Sequence, residues 1–112
     1  MIVPKNYFPC QDVVFLAKDL VGKSLFSKID GQFCGGIITE TEVVTNKNGV
    51  PDAVLIRAIR ATHGEELMLK RTGDFRMTPK ATNTPEKVNK ALGNSEFNND
   101  ELLLSKQIWI DE

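Results

Sequence analysis

The chain has 112 residues, 41% of them hydrophobic and 26% charged, and its 14 Lys and Arg almost balance 15 Asp and Glu for a net charge of −1. That length suits one small domain, residues 1–112, with a modest core, and the near-neutral balance gives no global basic field to hold nucleic acid. No run is apolar for long enough to span a membrane, and the opening Met-Ile-Val-Pro-Lys-Asn-Tyr-Phe lacks the basic region and apolar stretch of a secretory signal, so a cytoplasmic protein is expected.

Pro9 to Val21 predicts a helix, with Asp12 or Gln11 as its cap and Val13, Val14, Leu16, Ala17, Leu20 and Val21 as its apolar stripe. Gly22 ends it. Lys23 to Ile29 predicts a strand and Asp30-Gly31 a two-residue hairpin turn. Gln32 to Thr45 is the returning strand, in which Gly35-Gly36 marks a bulge or a close backbone approach. Asn46 to Gly49 predicts a second turn. Val50 to Ile59 is a third strand, with Pro51 at its start, where a missing donor is tolerated. Gly64 to Thr72 reads as a short helix with Glu65 and Glu66 first and Lys70 and Arg71 last, as the helix dipole prefers. Gly73 to Thr82 is irregular. Asn83 or Thr84 caps a helix with Pro85 at its first position, running through Lys87, Val88 and Ala91 to Gly93. Asn94 to Asp100 is a loop, and Leu102 to Leu104 and Ile108 to Ile110 are apolar segments expected to close over the core. The pattern is α+β, one antiparallel sheet with helices packed on it. Phe8, Phe15, Phe26, Phe33 and Trp109 are expected at core positions, and Met68 and Leu69 on a helix stripe that needs no functional reading.

The chemistry-bearing residues are few. Cys10 and Cys34 form no CxxC and are weak evidence for a disulfide. With His63 as the only histidine, a His-based zinc cluster is excluded, and His63 reads as a capping or surface residue. Glu40 and Glu42 lie two apart on a strand and share a face, while Arg57 interrupts an apolar run. A carboxylate pair and a guanidinium on core strands suit a site that holds and activates one water; the structural reading is solvated glutamates and an ion-paired arginine. If Thr45 and Val50 flank a four-residue turn, Arg57 falls opposite Ile38 and diagonal to Glu40, and Glu42 opposite Ala53. Arg57 is then expected to pair with Glu40, and Glu40→Ala to destabilise the fold more than Glu42→Ala. Between Arg57 and Lys90 there are eight basic and four acidic residues, a balance that fits either phosphate contacts or a solvated helical face.

Taken in order, these strings resemble the alkyladenine type of 3-methyladenine DNA glycosylase. Tyr7-Phe8 and Phe15-Leu-Ala-Lys-Asp-Leu-Val-Gly-Lys23 look like that family's first helix and strand entry. Gly36-Ile-Ile-Thr-Glu-Thr-Glu42 is similar to its catalytic strand, and Gly49-Val-Pro-Asp-Ala-Val-Leu-Ile-Arg-Ala-Ile59 to a later core strand. Gly64-Glu-Glu-Leu-Met, Arg71-Thr-Gly73, Asn83-Thr-Pro-Glu-Lys-Val-Asn-Lys-Ala-Leu-Gly93 and Ile108-Trp-Ile-Asp-Glu112 follow collinearly. The resemblance implies Glu42 as general base and Arg57 as the residue that helps hold the attacking water. It implies hydrolysis of the N-glycosidic bond of an alkylated or deaminated purine flipped out of double-stranded DNA, in base-excision repair, without metal or cofactor. It also implies DNA contacts from Lys87, at the start of the last helix, while the basic stretch adds Lys70, Arg71 and Arg76.

The chain departs from the family pattern in named places. Val44 stands where the family has a tyrosine. Glu42 runs almost directly into Val43-Val-Thr-Asn, so the stretch that carries stacking aromatics and the DNA wedge is missing. So is the segment beyond the tryptophan strand that closes the pocket. Tyr7 is the only tyrosine. Thr84 and Glu86 replace glycines at the phosphate-binding string. Three readings follow: a shortened purine-DNA glycosylase of weak or no activity, a non-catalytic nucleic-acid-binding form of the same scaffold, and a remnant without function.

Overall fold

Asp12 opens the first helix, α1 (Val13–Leu20), by accepting from the backbone N–H of Val14 at 3.0 Å and of Phe15 at 3.2 Å, the capping that a short polar side chain provides. This and the following geometry come from a computed structural model that describes residues 2–4, 12–76, 78–93 and 108–111. Pro9, Cys10 and Gln11 of the predicted first helix lie outside the described residues, as do Tyr7, Phe8, the predicted loop Asn94 to Asp100, Leu102 to Leu104 and Glu112.

Strands β2 (Ser24–Ile29) and β3 (Gln32–Thr45) are joined by Asp30-Gly31, whose φ values of 54° and 76° are the left-handed pair that a two-residue hairpin turn needs. The next hairpin leads to β4 (Pro51–His63) through Asn46, whose side-chain oxygen accepts from the N–H of Asn48 and Val50. Then come α2 (Glu65–Thr72), a 3-10 turn over Pro79–Thr82, α3 (Pro85–Ala91) and β5 (Ile108–Asp111). Thr84, not Asn83, caps α3, its hydroxyl accepting from Lys87 N–H at 3.3 Å. A three-residue strand, β1 (Ile2–Pro4), pairs with Ala53 to Leu55 in the first half of β4; it is too short to leave a periodic signal. The sheet order is β1-β4-β3-β2-β5, with every neighbouring pair antiparallel, so the α+β expectation holds.

Helices and sheet share one core. Leu16 and Leu20 of α1, Met68 of α2 and Val88, Ala91 and Leu92 of the α3 region bury against Leu25, Cys34, Ile38, Val54, Ile56 and Ile59. Two hydroxyls fasten the layers: Thr41 donates to Ala17 C=O and Thr82 to Ile59 C=O, each at 2.6 Å. The three α-helices among the described residues therefore lie on one face of the sheet.

The aromatic side chains depart from expectation. Phe15 is 55% and Phe33 41% exposed, and Phe26 and Trp109 are only half-buried. In β2, β3 and β5 the residues turned to the core are their neighbours Leu25, Cys34, Ile108 and Ile110, and strand alternation sends Phe26, Phe33 and Trp109 to the opposite face. Both faces of these strands are apolar, so composition alone favoured the wrong one.

Arg71 also has a structural task. Its guanidinium donates to Ala91 C=O at 3.1 Å and approaches Cys34 Sγ at 3.5 Å, and a Cβ added at Gly93 would lie 2.7 Å from it. It caps the end of α3 and ties α2 to that helix. Arg71→Met is expected to cost about 1–3 kcal/mol by leaving that carbonyl without its charged donor, measurable as a lower urea midpoint with an unchanged m-value.

Candidate active site

The register of β3 against β4 decides where the acidic side chains go. Val44 pairs with Ala53, Val43 with Val54, Glu42 with Leu55 and Thr41 with Ile56. The next pair is Glu40 with Ala58, and then Ile38 with Ile59, so Arg57 on β4 and Thr39 on β3 each stand as an extra residue. Such bulges re-aim side chains. Here two facing bulges change the phase of both strands together. On one side of them Ile38 and Ile59 face the core; on the other, Thr41, Val43, Val54 and Ile56 do.

Glu42, between Thr41 and Val43, consequently points away from the helices. Arg57 sits diagonally across from it, and its Nη1 donates to Glu42 Oε2 at 2.7 Å. This corrects the expected Arg57–Glu40 pair, on which the expected stability order of Glu40→Ala and Glu42→Ala rested. The residue opposite Glu40 is Ala58. The turn expectation ran the ladder two residues out of register: Asn46 holds Val50 within the turn so that Thr45 pairs with Pro51, and Asp52 stands as an extra residue before Val44 pairs with Ala53.

The pair is accessible: the Glu42 side chain is 52% and the Arg57 side chain 41% exposed. An ion pair so open contributes about 0.2–1 kcal/mol to stability, so folding alone gives weak reason to keep it. What it does provide is a carboxylate fixed in direction by a charge-assisted bond, standing over Leu55 and Val44 on an open sheet face. Water reaches it freely.

The four cations expected to contact DNA do not join this pair. Lys70 and Arg71 belong to α2 and Lys87 to α3, in the helical layer behind the sheet. Lys87 Nζ donates to Lys80 C=O at 2.8 Å, Arg71 is engaged at Ala91, and Lys70 and Arg76 are exposed. None of the four makes a hydrogen bond or ion pair to Glu42 or Arg57. With only seven residues, α3 is too short to provide an anion site from its N-terminus alone. No group of three His, Cys, Asp or Glu among the described residues is arranged to hold a metal ion.

A cluster of rings on the same open face was missed as a group in the sequence. Trp109, Phe26, Gly35 and His63 pair in one row across β5, β2, β3 and β4. Phe33 stacks on Phe26 with centroids 5.2 Å apart. The signal was present in the alternation of Leu25 with Phe26 and of Phe33 with Cys34.

Residues 42–112 match the family model described as methylpurine-DNA glycosylase. A protein of Chlamydia felis named "Putative 3-methyladenine DNA glycosylase" is 31% identical over 157 aligned positions that take in 99% of this chain and 80% of that protein. Proteins of the same name from Chlamydia abortus and Chlamydia pneumoniae are 31% and 29% identical, with 99% of this chain and 82% and 80% of theirs aligned. The alignments run over 157 positions against 112 residues here, so these relatives carry internal positions with no counterpart in this chain. The chain belongs to the methylpurine-DNA glycosylase family.

Proposed function

We propose that this protein hydrolyses the N-glycosidic bond of alkylated purine nucleotides in DNA, with Glu42 as general base and Arg57 as the residue that orients it. The observation that carries this reading is the 2.7 Å Arg57–Glu42 bond on an open sheet face, where folding gains little from it. Glu42 accepts a proton from a water whose oxygen attacks C1′. The C1′–N bond breaks with its electron pair going to the base, which leaves neutral if alkylation had made it a cation. The carboxylate also stabilises the oxocarbenium-like sugar electrostatically. Arg57 stays charged throughout and keeps one Glu42 oxygen turned toward it, leaving the other for water.

The site has an aliphatic floor, Val44 and Leu55, in place of stacking rings. Flipping a base costs a few kcal/mol that aromatic stacking normally offsets, so release is slow from duplex and faster where the damaged base is unpaired. A single-turnover assay on an alkyladenine oligonucleotide, in duplex and single-stranded form with Glu42→Gln beside the parent, tests this. The expected result is release that is faster from the single strand and lost in the variant; no release from folded protein overturns it. A second reading, nucleic-acid binding without catalysis, is favoured by the internal positions absent from this chain and would then stand, shown by binding that falls with salt.

A further inference from the structure

We propose that the ring cluster on the open face of the sheet is a stacking platform for unpaired bases of single-stranded DNA. Phe26 and Phe33 stack with centroids 5.2 Å apart, and each lies within 5.5–6.2 Å of the His63 and Trp109 rings, on the face opposite the helices. The core does not need them there: Phe33 is 41% exposed and His63 is exposed, although strand alternation already buries Leu25, Cys34 and Ile108. Exposed Phe33 and His63 beside partly buried Phe26 and Trp109 gather aromatic surface where a flat ligand can reach it.

The occupant follows from charge and position. Lys28 is exposed and pairs in register with Phe33, and Arg60 is exposed and pairs with Ile37, the next outward residue of β3 after Gly35. Cations beside flat apolar rings suit a polymer with charged backbone and π-faced bases. The same face continues along β3 from Gly35 to Glu42, seven residues or roughly 20 Å at about 3.3 Å per residue. A strand lying along this track stacks bases at one end and presents another nucleotide to Glu42 and Arg57 at the other. The proposal rests on the DNA-directed reading of this face, not on catalysis.

Trp109 is the only tryptophan, so its emission reports on the platform directly. Titration with a short undamaged oligothymidylate is expected to quench it saturably. Phe33→Ala, which removes the most exposed of the three apolar rings, is expected to weaken binding about tenfold, and Phe33→Tyr to restore it. Lys28→Ala and Arg60→Ala are each expected to lower the salt slope by about 0.7. Absent quenching, or equal affinity in Phe33→Ala, overturns the proposal. So does emission that changes with protein concentration alone, which would make the face a contact between copies. Quenching without base release leaves the platform standing and defeats the catalytic reading; base release without quenching does the reverse.

Discussion

Glu42→Gln is expected to slow single-turnover base release by about 10²–10⁴-fold, the factor a positioned general base supplies, while changing stability by less than about 1 kcal/mol, the range of exposed ion pairs. Glutamine keeps the size and a carbonyl for Arg57 to bond, and it loses the ability to take a proton from water. Arg57→Ala is expected to fall between parent and Glu42→Gln, because the carboxylate remains and only its direction is lost. Arg57→Lys restores charge without the planar fork, so it recovers part of the rate. Denaturant midpoints of all three variants should cluster with the parent. A large loss of stability in Glu42→Gln would mean that the pair is structural and would remove the reason for assigning it chemistry.

That ion pair also shows how far the sequence reading reached. The strands of Glu42 and Arg57 and the antiparallel pairing were legible, because Asp30-Gly31 and Asn46 to Gly49 are strong turn signals between apolar runs. The partner of Arg57 was not. Bulges at Thr39 and Arg57 are set by how two strands meet, and neither residue type marks them. A shift of two residues in the ladder keeps every side chain on its face, so the error was invisible to hydrophobic patterning. Facing failed elsewhere for the opposite reason: Phe26, Phe33 and Trp109 are apolar residues among apolar neighbours, and only assembly with the helices determines which face is covered. The bond from Arg71 to Ala91 was not legible either, because it joins two helices that the sequence does not place side by side.

Gly36→Ala is expected to be, with Gly35→Ala, among the most destabilising single-methyl changes in the described sheet. A Cβ at Gly36 would collide with the Arg60 carbonyl oxygen and lie 2.8 Å from its carbon and 3.0 Å from Ala61 Cα. These are backbone atoms of the neighbouring strand, unable to rotate away as a side chain would. Overpacking typically costs about 1–3 kcal/mol, and the upper end applies here, a fall in Tm on the order of 10 °C. Gly49→Ala is the matched control: its φ of +77° strains any side chain, but a Cβ there meets nothing within 4 Å, so about 1–2 kcal/mol is expected from conformation alone. If the two variants melt together, close approach is not what Gly36 provides. The reason this glycine matters to function lies in the same contact. Gly36 pairs with Ala61 just past the first β3–β4 pair, Gly35 with His63, and from there the ladder passes through the bulges at Thr39 and Arg57 to bring Glu42 and Arg57 to a 2.7 Å bond. Pushing the strands apart at Gly36 without unfolding them should therefore loosen that bond, so base release in Gly36→Ala, measured well below its Tm, is expected to fall more than the remaining folded fraction explains.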